Sequence, residues 1–125
     1  MAGEKILVID DESDFALLLS IDIKKRGYQV VLAGNGEEGL SKVKTEKPAL
    51  VIFDIKMPKM DGYTFVKTIK KDPELSKIPL IALTSYQLKD MFEIEGVKDY
   101  FMKAAKMEGL FETIAARLSS GKPQS

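Results

Sequence analysis

A short, uninterrupted apolar run near the middle of the chain constrains the fold more than any other feature. Residues 51–53 are Val, Ile and Phe, and the carboxylate of Asp54 follows them directly. Pro48 precedes the run, and a turn containing Pro58 and Gly62 follows it. Such a run is too short for a helix and has no polar face, which predicts a strand buried on both sides of a parallel sheet. Ligands of open parallel sheets bind outside the carboxyl ends of the strands, so Asp54 is placed for chemistry.

A second apolar run, Lys5–Ile9, ends in the same way, because Asp10 and Asp11 follow it. If the two strands are neighbours, three carboxylates meet at one edge of the sheet. Close like charges repel by about 4 kcal/mol per pair at an effective dielectric constant of about 20, so either one acid takes a proton or a cation lies among them. The alternative interpretation is that these acids are helix caps or solvated turn residues, which is common for a single acid after a strand.

The amino-acid composition excludes several kinds of partner, catalysis and metal site. The chain has 125 residues, which suits one domain, and its 19 basic and 19 acidic residues give no indication of a nucleic acid or an anionic membrane as partner. It has no cysteine and no histidine, which excludes thiol catalysis, disulfides and histidine-ligated zinc. A metal would therefore have oxygen ligands, as Mg²⁺, Ca²⁺ and Mn²⁺ prefer. No apolar run approaches the ~20 residues of a membrane span, and the first residues do not resemble a signal peptide, which predicts a cytoplasmic protein.

Short strands and helices alternate along the chain. The predicted strands are Lys5–Ile9, Tyr28–Ala33, Val51–Asp54, Leu80–Leu83 and Lys98–Met102. The predicted helices run from Ser13 or Asp14 to about Arg26, from Asn35 to Pro48, and over approximately Tyr63–Lys71, Gln87–Glu95 and Met107–Leu118. This alternation predicts an α/β fold, a doubly wound five-stranded parallel sheet with helices on both faces. The flavodoxin-like strand order 2-1-3-4-5 then places the first and third strands side by side.

The helix patterns give further expectations. The first helix carries apolar residues on more than one stripe, so we expect the sheet to cover most of it; these residues are Phe15, Leu17, Leu18, Leu19, Ile21 and Ile23. Asn35 followed by Glu38 predicts a capping box at the second helix. The last helix has the clearest 3.6-residue period, formed by Met107, Leu110, Phe111, Ile114, Ala115 and Leu118. Residues 1–118 are predicted to form the domain, and residues 119–125 a flexible tail or linker stub.

The predicted topology gathers one set of polar side chains. Asp10, Asp11 and Asp54 share the carboxyl edge of the sheet with Thr84 and Lys103, which end the next two strands. An aspartate can attack phosphorus and form an aspartyl phosphate, and a divalent cation between the acids would screen their charge. Lys103 and Thr84 could bind the other phosphoryl oxygens. Because no histidine or other positioned general base is at hand, we expect slow, reversible modification of the protein itself and not enzymatic turnover.

Four segments resemble the receiver domain of two-component response regulators, within a match from about Lys5 to Leu118. They are Ile6–Glu12, Val51–Gly62, Leu83–Ser85 and Asp99–Lys103. The resemblance implies that Asp54 is the phosphoacceptor. It also implies a Mg²⁺ ion, or Mn²⁺ in its place, bound by Asp10, Asp11, Asp54 and the backbone carbonyl of Lys56.

The same resemblance implies which residues respond to phosphorylation, what donates the phosphoryl group and which face binds partners. Thr84 and Lys103 contact the phosphoryl group, and Tyr100 is the switch aromatic whose ring turns inward when the Thr84 hydroxyl moves toward the phosphate. The donor would be a phosphohistidine on a sensor histidine kinase or a phosphotransfer protein. The face formed by the fourth helix, the fifth strand and the fifth helix would bind a downstream protein or a second copy of the chain. No direct nucleic-acid or membrane binding by this domain is expected.

Two departures from the family pattern support an alternative. Ala104 follows Lys103 where the family has a proline in a cis peptide, which predicts a trans bond, a relaxed loop and a less well aimed Lys103. The interval between Thr84 and Lys103 is also short, which predicts a short or poorly ordered fourth helix. The alternative is a pseudo-receiver that binds partners independently of phosphorylation. The sequence is compatible both with a stand-alone regulator and with an N-terminal module of a longer protein.

An enzyme is disfavoured on motif grounds. Lys56 stands where aspartate-based phosphohydrolases have a second aspartate, and the acidic residues 10–12 replace the hydroxyl- and glycine-rich loop of flavodoxin-like cofactor binders.

Overall fold

Five parallel strands form the centre of the molecule. The computed structural model describes residues 3–57, 59–85, 94–104 and 107–120. The strands are β1 (Lys5–Ile9), β2 (Gln29–Ala33), β3 (Leu50–Asp54), β4 (Leu80–Thr84) and β5 (Asp99–Met102). The helices of the described ranges are α1 (Ser13–Lys25), α2 (Gly36–Glu46), α3 (Gly62–Lys70) and α4 (Leu110–Ser120), with a 3₁₀ turn at Leu75–Lys77.

The order of the strands is β2-β1-β3-β4-β5, which confirms the predicted flavodoxin-like topology. The register brings the carboxyl ends of the strands to one edge. Ile9 pairs with both Ala33 and Phe53, and Thr84 pairs with Met102. The residues that follow or end these strands therefore meet at a single crevice.

The core lies in two layers on opposite faces of the sheet. Successive side chains of a strand point to opposite faces, so Leu7 and Phe53 pack toward α2 and α3, whereas Val8 and Ile52 pack toward α1 and α4. Every residue of β3 and β4 is buried, which is why these strands have no polar position until the acid or hydroxyl at their ends.

The helix starts agree only in part with the sequence prediction. Asn35 caps α2 by accepting a hydrogen bond from the Glu38 N–H at 2.8 Å, as predicted. The Glu38 carboxylate, however, accepts from the Gly34 N–H and not from that of Asn35. The prediction of Ser13 or Asp14 as the α1 cap was wrong, because the cap position is Glu12, which makes no side-chain capping bond.

The expectation that the sheet covers most of α1 was also wrong. Leu17, Leu18 and Ile21 are 53%, 66% and 42% exposed, whereas Leu19 and Ile23 are buried. A straight helix on a sheet presents one stripe to it, so apolar residues outside that stripe stay in contact with solvent.

The last helix follows its predicted period with two differences. It begins at Leu110 and not at Met107, and it buries Leu110, Ile114 and Leu118 against the sheet. Ala115, which the pattern assigned to the apolar stripe, is exposed.

Two predictions fall largely outside the described residues. Of the predicted fourth helix, residues 87–93 are not described, and Glu95 lies in a turn. Of the predicted tail, Ser119 and Ser120 belong to α4, and residues 121–125 are not described. In the parts of the chain that are described, no helix combines the length and apolar character needed to span a membrane.

Candidate functional site

Two buried carboxylates stand at the ends of the central strands. Asp10 directly follows β1 and is 2% exposed, and Asp54 ends β3 and is 4% exposed. Tight turns hold both in place, because the Glu12 N–H donates to Asp10 Oδ1 at 2.9 Å and the Lys56 N–H donates to Asp54 Oδ1 at 3.2 Å. Each acid thus has one oxygen held by the backbone and the other directed into the crevice.

The ammonium of Lys103 lies among these acids. Its Nζ is 2.8 Å from Asp10 Oδ2 and 3.2 Å from Asp54 Oδ2, and it also forms an ion pair with Glu12. The side chain is only 6% exposed, and its Nζ lies 4.7 Å from the centre of the Phe15 ring. The described residues contain no cis peptide bond, so the bond between Lys103 and Ala104 is trans, as predicted. Although this bond is trans, the Lys103 ammonium still reaches the Asp54 carboxylate, at 3.2 Å from Oδ2.

Burial and ion pairing act against each other in this cluster. Burial raises the pKa of Asp10, although Lys103 and the Glu12 N–H oppose it. Burial likewise raises the pKa of Asp54, with the charge of Asp10 adding to the effect and Lys103 opposing it. For Lys103, burial would lower the pKa, but its hydrogen bonds to Asp10 and Glu12 and the charge of Asp54 outweigh burial and raise it. The Lys103 ammonium therefore stays charged. Binding of a proton or a cation to the buried carboxylates is favoured, because it reduces their negative charge.

The donor atoms fit a divalent cation. Asp10, Glu12 and Asp54 each offer a carboxylate oxygen, and these oxygens lie within 4.8 Å of one another. Asp10 Oδ2 is buried and, within the described residues, accepts no hydrogen bond with acceptable geometry despite its proximity to the ammonium. A cation would satisfy this oxygen, and an all-oxygen donor set suits Mg²⁺ or Mn²⁺.

The structure separates the predicted acids. Asp10 and Asp54 come together, whereas Asp11 is exposed and lies outside the group of acids. Glu12, which the sequence analysis did not select, lies inside that group. In the sequence, the sign of this placement is that Glu12 lies two residues after Asp10. In the structure, the Glu12 N–H closes this turn by donating to the Asp10 carboxylate.

The two remaining predicted residues occupy the neighbouring strands. Thr84 is buried at the end of β4, and its carbonyl accepts a hydrogen bond from the Lys103 N–H at 2.8 Å. Tyr100 lies on β5 and packs against the α2–α3 layer. Its hydroxyl accepts from the Ile94 N–H at 2.7 Å and lies 3.0 Å from the carbonyl oxygen of Val97, to which it donates. The ring is therefore tied to the turn that precedes β5.

The comparison with protein families agrees with this geometry. The family model of the response regulator receiver domain matches residues 6–115. The chain belongs to this family. The resemblance seen in the sequence is thereby confirmed.

Three relatives of this receiver domain show the extent of the similarity. Protein PilH of Pseudomonas aeruginosa is 35% identical over 118 residues, which cover 92% of this chain and 98% of PilH. The alkaline phosphatase synthesis transcriptional regulatory protein PhoP of Bacillus subtilis is 35% identical over 102 residues, which are 81% of this chain but only 42% of PhoP. The structure of the response regulator TrrA from Thermotoga maritima in complex with Mg²⁺-BeF has a TM-score of 0.81 at 31% identity, and the match covers 91% of this chain and 98% of TrrA.

Proposed function

We propose that this receiver domain takes a phosphoryl group from a sensor histidine kinase or a phosphotransfer protein onto Asp54, in a Mg²⁺-dependent reaction. The observation that carries the proposal is the position of Asp54, which is buried at the end of β3 with its Oδ2 3.2 Å from the Lys103 ammonium. A group that becomes bound to this buried carboxylate would lie beside the Lys103 ammonium, which can stabilise the negative charge that develops on it.

In the proposed reaction, an oxygen of Asp54 attacks the phosphorus of a phosphohistidine. The new O–P bond forms as the N–P bond breaks, and the leaving imidazole keeps the electron pair and takes up a proton. Lys103 neutralises negative charge on the phosphoryl oxygens from its position beside Asp54. Thr84, at the end of the adjacent strand, supplies a hydroxyl to another phosphoryl oxygen.

The residues that would hold the cation are Asp10 and Asp54, with Glu12 within reach. The sequence-based assignment of Asp11 and of the Lys56 carbonyl as further ligands is part of the proposal. When bound, the cation would screen the acids from the incoming phosphoryl group and polarise it. The TrrA structure, a complex with Mg²⁺-BeF, supports this assignment by similarity.

The proposed consequence is a change in partner binding. The Thr84 hydroxyl and the Tyr100 ring would form the switch, and a downstream protein or a second copy would bind the face that includes β5 and α4. The domain would catalyse at most its own phosphorylation and slow dephosphorylation in the cytoplasm. The sequence-based division into a receiver of residues 1–118 and a tail of residues 119–125 stays a prediction, with the difference that Ser119 and Ser120 continue α4.

The test is phosphorylation by a small donor. With Mg²⁺ and acetyl phosphate, the intact protein is expected to gain the mass of one phosphoryl group, and Asp54→Asn is expected to abolish the gain. Asp22→Asn, which changes an exposed aspartate of α1, is the matched control and should keep it. An equal mass gain in Asp54→Asn would overturn the assignment of the acceptor. No gain in any variant would favour the pseudo-receiver, whose motivation is Ala104.

A further inference from the structure

The ammonium of Lys103 has an aromatic partner in addition to its carboxylates. Phe15 lies in the first turn of α1, and Lys103 Nζ lies over its ring, 4.7 Å from the ring centre. The negative face of an aromatic ring attracts a cation within about 6 Å of the ring centre. The Lys103 side chain is only 6% exposed, so little water screens this attraction. The ring therefore stabilises the charged lysine inside the crevice.

Contacts of the side chain decide where the Lys103 ammonium lies. The backbone is fixed just after β5, because the Lys103 N–H donates to the Thr84 carbonyl at 2.8 Å. From there, a flexible four-carbon stem leads to the ammonium. Its N–H groups donate to Asp10 Oδ1 at 3.1 Å, to Asp54 Oδ2 at 3.2 Å and to Glu12. The position of the charge thus depends on three carboxylates and on the aromatic ring.

The three carboxylates are also the groups that the proposed reaction would engage. A divalent cation held by Asp10 and Asp54 would bind their oxygens and repel the ammonium. A phosphoryl group on Asp54 would need an N–H group that a carboxylate now occupies, since an ammonium has three. Glu12 is the partner most readily exchanged, because its side chain is 63% exposed whereas those of Asp10 and Asp54 are buried. A phenyl ring binds neither Mg²⁺ nor a phosphoryl oxygen, so its contact with the ammonium is not lost to either.

The fold holds the Phe15 ring beside the strand ends. Helix α1 begins directly after the turn that follows β1, and the Ala16 N–H donates to the Glu12 carbonyl at 3.0 Å. Residues three apart lie on the same side of a helix, which is why Glu12 and Phe15 both reach Lys103. Phe15 is half-buried and packs against the core layer of α1 and α4. The core thus fixes the ring, and the ring in turn fixes the flexible lysine.

We propose that Phe15 is a positioning residue, whose ring holds the Lys103 ammonium at Asp54 while the carboxylates exchange their partners for a cation and a phosphoryl group. The role of the ring in phosphoryl transfer rests on the proposed function of Asp54. The contact itself does not, because it is present without a cation or a phosphoryl group.

The first test measures the contact by NMR without Mg²⁺. Protons over the face of an aromatic ring are shifted upfield, so the Hε protons of Lys103 should resonate upfield of those of the other lysines. Their signal is observed in protein labelled with ¹³C at lysine Cε and is assigned by its loss in Lys103→Arg. We expect Phe15→Leu to remove the upfield shift and Phe15→Tyr, which keeps the ring, to retain it.

The second test measures the rate at which the protein gains a phoshoryl group from acetyl phosphate with Mg²⁺. Phe15→Leu is expected to lower this rate about fivefold, as the loss of one partly desolvated cation–π contact predicts, and Phe15→Tyr to restore it. The matched control is Phe111→Leu. Phe111 is also half-buried against the same core layer, and the guanidinium carbon of Arg26 lies 3.6 Å from its ring centre. This control should leave both the rate and the Lys103 signal unchanged.

Four results would overturn the positioning role. They are a Lys103 signal that Phe15→Leu does not move, a moved signal with an unchanged rate, no recovery in Phe15→Tyr, and equal slowing by Phe111→Leu, which would indicate a general loss of packing. If the wild type gains no phosphoryl group, the proposed function of Asp54 fails and the role of Phe15 in the reaction fails with it. The NMR signal would then still decide whether the ring holds the ammonium.

Discussion

The charges at the strand ends do not balance at the scale of single residues. Three acids, Asp10, Glu12 and Asp54, surround the one ammonium of Lys103. A buried charge without a full partner costs free energy, so ionised Asp10 and Asp54 oppose folding as long as no further cation is present. The unbalanced negative charge therefore lowers the stability of the folded protein, and a bound cation would relieve this cost.

Asp54→Asn tests this balance through its pH dependence. Because burial raises the pKa of Asp54 above the ordinary value of 3.8, the folded state binds its proton more readily than the unfolded state. Wild-type stability therefore gains from protonation as the pH falls through the raised pKa, and this gain is complete below 3.8. We expect Asp54→Asn, without Mg²⁺, to be more stable than the wild type at neutral pH, and this advantage to shrink toward pH 4.

Urea unfolding at a series of pH values measures the advantage of Asp54→Asn. Asp22→Asn, at an exposed position of α1, provides the comparison. A difference between Asp54→Asn and the wild type that grows as the pH falls would contradict the expected sign.

At the scale of elements, the connection from β3 to α3 holds Asp54 in place. The chain turns back so closely that the Gly62 N–H donates to the Ile55 carbonyl at 2.7 Å. Asp61 then caps α3 by accepting from the Thr64 N–H at 2.9 Å. An added Cβ at residue 62 would lie 2.8 Å from Ile55 Cα, so the glycine is required by the close approach of the backbone.

Gly62→Ala is accordingly expected to destabilise the protein by about 1–3 kcal/mol, because the backbone at Ile55 must shift to accept the methyl group. Gly34→Ala is the matched control, since its Cβ would meet its nearest neighbour, Glu38 Oε1, at an ordinary 3.6 Å. That change should alter the free energy of unfolding by less than about 1 kcal/mol. Urea unfolding of both variants decides the point, and equal effects would show that the close approach at Gly62 is not what matters.

At the scale of the whole molecule, the two core layers share the same strands. Alternate residues of β1 and β3 belong to opposite layers, so one layer cannot come apart while the sheet that supports the other stays intact. A domain of this size is expected to unfold in one transition.

Matched deletions in the two layers test this cooperativity. Ile69 of α3 and Ile114 of α4 are both fully buried, one in each layer. We expect Ile69→Val and Ile114→Val each to cost about 0.5–1.5 kcal/mol, and the double variant to be additive within about 0.5 kcal/mol. Far-UV circular dichroism and tyrosine fluorescence should report a single urea transition in each variant. A transition that splits in one variant alone would show that the layers unfold separately.

Local pattern by itself predicted the architecture and the position of Asp10 and Asp54 at one edge of the sheet. Strands buried on both faces need uninterrupted apolar runs, so the runs before Asp10 and Asp54 predicted the sheet and placed these acids at its edge. The same reasoning located Thr84 and Lys103, because the end of a strand is visible in the sequence as the first polar residue after the run.

Only the tertiary structure decided which side chains face inward. Lys103 pairs with Asp10 and Glu12, 93 and 91 residues away, and the turn after β1 directs Glu12 and not Asp11 toward it. The exposure of Leu18 on α1 was likewise decided by the single stripe that the sheet contacts. The physical reason is the same in both cases: the direction of a side chain in a turn or on a helix depends on backbone angles and neighbours from distant parts of the chain, which residue type and spacing do not specify.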